Sequence, residues 1–227
     1  PKHKGLSYFF VDMKSPGIEC RPIHQISGAS NFNEVFFTDV RVPDSQRLGK
    51  VGDGWRVSLT TLMNERLAIG ERPPPAFEEV FQLAKEIELE DGIAIEDGGV
   101  REKLADWYVD GRGVTLTRFR SLTALSRGQD PGPENSIGKA ITGKMRQDIA
   151  SFGMDLMDIS GAISDADNAP MRSLFQDALL SAPSGRIAGG SDEILRNIIA
   201  ERVLGLPQDI RVDKGIPFSE LVKKEKA

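Results

Sequence analysis

Alternation of apolar and polar residues dominates the first 48 residues of the chain. Residues 18–23 alternate, and residues 33–42 alternate over a longer stretch, which is typical of half-buried β-strands. Residues 6–11 form a shorter run rich in aromatic and β-branched side chains, and Pro43 ends the last strand. Three or four strands with exposed edges are only marginally stable alone. We therefore expect this β-segment to begin inside a domain and to need further strands to close its sheet.

Helical periodicity replaces this alternation from Trp55 onward. Apolar residues recur there at spacings of one to four residues, as on one broad face of an α-helix: Val57, Leu59, Leu62, Met63, Leu67 and Ile69. The three prolines at residues 73–75 interrupt the pattern. Start and stop signals then predict further helices over residues 76–90, 100–127, 135–159 and 191–205. Long helices joined by turns predict an antiparallel four-helix bundle.

The predicted fold class is therefore α+β and mainly α, with a β-segment followed by the helical bundle. The predicted boundaries are residues 1–48 for the β-segment, 49–54 for a hinge, 55–210 for the bundle and 211–227 for a tail. Gly49, Gly52 and Gly54 lie in the hinge. Their spacing differs from the dinucleotide-binding fingerprint, and the preceding strand ends in a proline. We therefore interpret these glycines as a connector and not as a phosphate-binding loop.

Composition narrows the partners and the compartment. The 227 residues carry a net charge of −5, which argues against nucleic acid as the main partner because phosphate binding requires a basic face. No apolar run reaches 18 residues, so we predict no membrane span. The single cysteine, Cys20, cannot form an internal disulfide, which favours the cytoplasm or another reducing compartment. Cys20, His3 and His24 lack metal-ligand spacing, so we predict no metal site.

Three stretches of the chain resemble one enzyme family. Residues 32–43 are similar to the last strands of the middle domain of acyl-CoA dehydrogenases. Residues 52–55 resemble the entry to the first C-terminal helix of these enzymes, and residues 197–207 resemble their final helix and its exit. The resemblance implies that the β-segment is the end of a β-barrel or β-sandwich middle domain. It also implies that the chain is roughly the C-terminal half of such a protein.

The resemblance implies a flavoenzyme that uses FAD to introduce a double bond between Cα and Cβ of an acyl-CoA thioester. A carboxylate base removes the α-proton while a hydride leaves Cβ for the flavin. Such a base needs a dry site that raises its pKa toward neutrality, and the enolate oxygen needs preorganised hydrogen-bond donors. The implied partners are an acyl-CoA substrate and an electron-transferring flavoprotein as acceptor, in a homo- or hetero-tetramer.

Two matched positions point to the base. Gly189 falls where many family members carry the catalytic glutamate. Glu65 falls where the branched-chain and long-chain members place that glutamate instead, and Arg66 follows it as their pattern requires. The resemblance therefore implies that Glu65 is the base. It also assigns substrate binding to Leu62, Met63, Arg66 and Gly189, and cofactor binding to Gly190, Ser191 and Glu193.

Simpler structural interpretations exist for several of these residues. Glu65 could form an ion pair with a neighbouring cation, although the adjacent apolar residues indicate an apolar environment and an adjacent residue such as Arg66 does not face it on a helix. Arg66 could be a solvated helix charge. Ser191 could be an ordinary helix N-cap, and Glu193 could be a favourable charge in a first helical turn.

The chain departs from the family in two places that normally contact the ADP part of the flavin. Residues 71–75 replace the usual Arg-x-x-Phe-Gly run, and residues 157–162 replace the usual Gln-x-x-Gly-Gly run. The chain could therefore belong to the base-bearing partner of a heteromeric enzyme, to a non-catalytic or flavin-deficient scaffold subunit, or to an enzyme that binds flavin through substituted contacts. An acyl-CoA-binding helical module without redox chemistry is a further alternative.

Overall fold

The computed structural model describes residues 3–68, 75–129, 132–210, 216–217 and 219–220, and of residues 63–68 it describes the backbone alone. Contacts divide the chain into two compact units. One unit comprises Pro1–Gly70 with Asp209–Ala227, and the other comprises Glu71–Gln208. The first long helix therefore groups with the β-segment by contacts. The domain boundary predicted at residues 49–54 stays a prediction.

Four short strands of the first unit pair in two antiparallel sheets, β1 with β4 and β2 with β3. The strands are β1 (Tyr8–Phe9), β2 (Ile18–Ile23), β3 (Phe32–Phe37) and β4 (Arg47–Leu48). β2 occupies its predicted range. β3 ends well before the predicted residue 42 because Asp39 adopts a φ of 51°, which leaves the extended region. β4 was not predicted, and with two residues it is too short to produce a visible alternation.

The hinge glycines allow the first helix, α1 (Gly54–Ala68), to begin directly against an earlier part of the chain. The N–H of Gly54 donates to the Leu6 carbonyl at 2.8 Å, and the N–H of Gly52 donates to the Ser7 hydroxyl at 3.2 Å. A Cβ atom at position 54 would lie 2.8 Å from the Leu6 carbonyl carbon and oxygen. Glycine at this position is therefore required by close backbone approach.

The second unit is helical apart from one small hairpin. Its helices are α2 (Phe77–Glu86), α3 (Gly98–Ser126), α4 (Asn135–Met157), α5 (Leu174–Gly185) and α6 (Asp192–Ile198). One turn of π-helix, Ile199–Val203, continues α6. The hairpin pairs β5 (Glu88–Leu89) with β6 (Gly92–Ile93).

The predicted helices match the structure unevenly. The prediction over residues 76–90 was too long, because Ile87 turns to the extended region and the hairpin follows. The predictions for α3 and α4 agree with the structure to within two residues at each end. Helix α5 was not predicted. It ends at Gly185 after an internal proline, Pro183, which interrupts helical patterns in a sequence.

The core of the second unit forms where α2, α3, α4 and α5 contribute apolar side chains. Trp107 of α3 meets Phe152 of α4 edge to face, with ring centroids 5.2 Å apart. Gly153 of α4 contacts the ring of Phe175, which is the largest fully buried side chain. The rest of the cluster includes Val80, Leu83, Ala84, Leu104, Met145, Ile149, Leu156 and Met157.

The described part of the chain is thus mainly helical, with three small two-stranded antiparallel sheets. This agrees with the predicted α+β, mainly α class. None of the helices in the described ranges combines the length and the apolar character needed to cross a bilayer.

Candidate functional site

The predicted cofactor side of the site lies in the turn between α5 and α6, which we call the glycine turn (residues 189–191). Gly189 has a φ of 68° and Gly190 a φ of 111°. Side chains rarely adopt these angles, so two consecutive glycines are suited to this path. A Cβ atom at position 189 would meet nothing closer than Lys139 Cε, at 4.0 Å. The turn therefore leaves open space beside Gly189.

Backbone hydrogen-bond donors are available in the glycine turn. Within the described residues, the N–H groups of Gly189 and Gly190 donate to no protein acceptor. The next backbone contact along the chain is made by Asp192, whose N–H donates to the Arg186 carbonyl at 3.2 Å. The turn thus combines open space with N–H groups, a combination that fits a carbonyl oxygen or the polar edge of a flavin.

A lysine from another helix contacts the turn directly. Lys139 of α4 donates from its Nζ atom to the Gly190 carbonyl, 51 residues away in the sequence. The lysine is partly buried, and its stem lies beside Gly189. This contact ties the turn to α4. Sequence analysis did not predict a role for Lys139, because nothing local relates it to the turn.

An ion pair joins Arg186, which precedes the turn, to Asp192, which follows it. The Arg186 guanidinium donates from Nε and Nη2 to the Asp192 Oδ2 atom at 2.7 and 2.6 Å. Its Nη1 atom donates to the Gln147 Oε1 atom of α4 at 3.2 Å. Asp192 is 6% exposed, and among the described residues its Oδ1 atom has no hydrogen-bond partner. A buried carboxylate depends on its cation, so we expect removal of Arg186 to be costly.

Ser191 occupies the N-cap position of α6, but its side chain accepts no capping hydrogen bond. The serine side chain instead hydrogen-bonds to Glu193. The pKa of Glu193 is lowered first by its own backbone N–H and then by the Ser191 side chain, both of which stabilise the carboxylate. Glu193 is fully exposed. The two predicted cofactor-binding residues therefore contact each other and form a polar surface at the start of α6.

A shallow groove of about 250 Å³ runs beside the turn. Both residues of the ion pair line it, together with Gln147, Pro183, Ile187, Ser191 and Glu193. The groove carries polar side chains on the face formed by α6, and its exposed apolar side chains are Pro183 and Ile187. Within the described residues, no cluster of histidine, cysteine and carboxylate side chains could hold a metal ion.

The predicted base side of the site lies on α1, in the other unit. The backbone of α1 includes residues 62–66, and Leu62 is 47% exposed. The side chains of Met63, Glu65 and Arg66 lie outside the described residues. Their roles as substrate contacts and base stay predictions. The altered family run at residues 71–75 lies almost entirely outside the described residues, whereas the second run includes a 3₁₀ segment, Asp158–Ala162.

The comparisons with known proteins agree on one family. The sequence profile described as acyl-CoA dehydrogenase, C-terminal domain, matches residues 52–204. Acyl-CoA dehydrogenase FadE34 of Mycobacterium tuberculosis is 38% identical over 210 residues, which cover 92% of this chain and 27% of that protein. Acyl-CoA dehydrogenase IpdE1 of Mycolicibacterium smegmatis is 36% identical, with 92% of this chain and 51% of that protein covered.

Solved structures support the same fold. The structure named Tcur3481-Tcur3483 steroid ACAD matches with a TM-score of 0.78 at 25% identity, covering 92% of this chain and 54% of that chain. The ChsE4-ChsE5 complex from Mycobacterium tuberculosis matches with a TM-score of 0.74 at 22% identity, covering 92% and 55%. The chain thus spans about half the length of these structures and between 27% and about half of the curated relatives above.

Proposed function

Because this chain belongs to the acyl-CoA dehydrogenase family, we propose that it is the C-terminal part of an FAD-dependent enzyme that desaturates an acyl-CoA thioester between Cα and Cβ. In this proposal the β-segment completes a β-barrel or β-sandwich middle domain, and the helices form the family's antiparallel four-helix bundle. The observation that carries the proposal is the glycine turn, which combines open space beside Gly189 with available backbone N–H groups.

The proposed chemistry divides between the two predicted sides of the site. Glu65 removes the α-proton, a step that requires a base whose pKa a dry site raises toward neutrality. The Gly189 N–H donates to the thioester oxygen and stabilises the enolate charge that develops there. The chemistry that FAD would supply when bound is acceptance of the hydride that leaves Cβ. The proton and the hydride then account for both hydrogens removed from the substrate.

The remaining predicted residues take binding roles in this proposal. Leu62 and Met63 precede Glu65 on α1, and Arg66 follows it. In this proposal the three residues contact the acyl group and the thioester. Gly190, Ser191 and Glu193 would lie on the flavin side. Their contribution would be a backbone N–H, a hydroxyl and a carboxylate that the helix start keeps ionised.

An absorbance experiment on the full-length protein tests the proposal. A flavin spectrum that bleaches on anaerobic addition of acyl-CoA is expected. Glu65→Gln should keep the flavin spectrum but lower kcat by about 10²- to 10⁴-fold, the usual contribution of a general base. Glu102→Gln, which changes an exposed carboxylate on α3, serves as the matched control and should keep wild-type turnover. Unchanged turnover of Glu65→Gln would rule out its role as the base.

A second candidate is a flavin-deficient or non-catalytic subunit of a heteromeric acyl-CoA dehydrogenase. The altered run that includes the 3₁₀ segment Asp158–Ala162 favours it, because the family normally contacts the flavin there. Two solved relatives carry paired names, Tcur3481-Tcur3483 and ChsE4-ChsE5, which describe those proteins as two-component assemblies. A colourless protein that gains flavin absorbance only when co-expressed with a partner subunit would support this candidate. An electron-transferring flavoprotein remains the proposed acceptor in either case.

A further inference from the structure

Two sets of side-chain hydrogen bonds, which we call braces, hold the glycine turn against α4, and each includes a residue of that helix. Lys139 donates to the Gly190 carbonyl, and Gln147 accepts from Arg186, which binds Asp192 at the far side of the turn. Lys139 and Gln147 are eight residues apart, which is about 12 Å along a helix at 1.5 Å per residue. The turn is therefore held at two separate points along α4.

We propose that Lys139 is a positioning residue for the glycine turn, and that the Arg186–Asp192 pair is the second brace of the same turn. This inference rests on the proposed function. The physical reason lies in the backbone. Glycine permits the positive φ angles at residues 189 and 190 but does not enforce them, because it has little conformational preference. An external contact must therefore select one conformation of the turn.

The Lys139 contact is suited to that selection. A hydrogen bond from an ammonium group is stronger than one between neutral groups, and this one is partly buried. Fixing the Gly190 carbonyl fixes the following peptide plane, and it limits the rotation of Gly189 one residue earlier. The N–H of Gly189 is the group that the proposed mechanism aims at the thioester oxygen. If fewer substrate-bound molecules hold the turn in the competent conformation, kcat falls in proportion to that population.

The test compares three variants of the full-length protein. Lys139→Met removes the donor and keeps an unbranched apolar stem, whereas Lys139→Arg keeps a cationic donor. Lys144→Met is the matched control, because Lys144 lies on the same helix and forms an exposed ion pair with Asp148. We expect Lys139→Met to lower kcat by roughly ten- to a hundred-fold with little change in KM. Lys139→Arg should keep most of the wild-type kcat, because arginine is also a cationic donor.

Hydrogen exchange supplies a readout that does not depend on turnover. Mass spectrometry of peptides covering residues 186–192 should show faster exchange of hydrogen-bonded amides in this segment, such as those of Ala188 and Asp192, in Lys139→Met than in Lys144→Met. Asp192→Asn, which weakens the second brace without changing side-chain shape, should speed exchange in the same peptides. This variant keeps the inference testable if Lys139→Met folds poorly.

The possible outcomes separate the two proposals. If the wild-type protein neither bleaches flavin nor turns over acyl-CoA, the proposed function fails, and the exchange comparison still decides whether Lys139 fixes the turn. If Lys139→Met matches Lys144→Met in both kcat and exchange, the positioning role of Lys139 is overturned. A fall in kcat of Lys139→Met with unchanged exchange would also overturn it, because the turn would then be fixed without the lysine.

Discussion

Replacing Gly153 by alanine should destabilise the helical unit, although alanine is normally the better helix former. Gly153 lies in α4 where it meets α5, against the fully buried ring of Phe175. An added Cβ atom would lie 2.2 Å from Phe175 Cδ1 and 2.6 Å from Cε1. Carbon atoms pack at roughly 3.5–4.0 Å, so the ring or the helix would have to move by more than about 1 Å.

The magnitude follows from two opposing terms. Overpacking a dense core typically costs about 1–3 kcal/mol, and an overlap this deep lies at the upper end. Alanine gains about 1 kcal/mol over glycine in a helix interior. The net expectation is a loss of about 2 kcal/mol in the free energy of unfolding. For a folding unit of about 150–250 residues that corresponds to a fall in Tm of roughly 4–8 °C.

The assay is urea and thermal unfolding of the full-length protein, with Gly138→Ala as the control. Gly138 lies on the same helix, and a Cβ atom there would meet Val114 Cγ1 at 3.4 Å, an ordinary contact. Gly138→Ala should therefore raise the urea midpoint, whereas Gly153→Ala should lower it. Adding Phe175→Leu to Gly153→Ala should recover part of the loss, because the smaller side chain makes room. Equal midpoints for the two alanine variants would refute the packing argument.

Two further predictions concern the candidate site and the hinge. Ser191→Ala removes one hydrogen bond that lowers the pKa of Glu193, so carbon-detected NMR titration should show that pKa rising toward its ordinary value. Linkage gives the direction of the effect of pH on stability. Any stability due to the lowered pKa of Glu193 is present above the ordinary pKa of a glutamate and is lost as the pH falls through the pKa of Glu193 in the folded protein. Gly54→Ala should lower the free energy of unfolding by about 1–3 kcal/mol, because the new Cβ would overlap the Leu6 carbonyl. Gly98→Ala is its control in thermal unfolding, since Gly98 also begins a helix but has open space around it; equal effects of the two substitutions would contradict the close-approach argument.

Sequence patterns predicted the elements whose local signals agree with their tertiary setting. Strand β2 and helices α3 and α4 are of this kind, since periodicity and turn signals mark their ends. Helix α5 is different. It follows three consecutive residues with positive φ, Met171, Arg172 and Ser173, none of which is a glycine. No local pattern predicts left-handed conformations at such residues.

Tertiary contacts explain the start of α5. The Ser173 hydroxyl donates to the Ser164 carbonyl at 2.9 Å, and the Gln176 amide donates to the Ile163 carbonyl at 3.0 Å. Phe175 is buried against Gly153. These contacts join residues that are 9 to 22 positions apart in the sequence. The beginning of the helix is thus specified by partners that a single sequence does not connect, which is why α5 was not predicted.

The same distinction separates the residues of the glycine turn from Lys139, which contacts the turn from α4. Gly189, Gly190 and Ser191 were assigned to the site through the resemblance to the family, which rests on short runs of adjacent residues. Lys139 could not be found this way, since its contact to the turn spans 51 residues. Sequence analysis therefore found the turn but not the side chain that restrains its conformation. A backbone made of glycines can approach a ligand closely, but that freedom has to be removed by side chains elsewhere. In the proposed role, Lys139 supplies that restraint from α4, and Arg186 and Asp192 supply it from the residues before and after the turn.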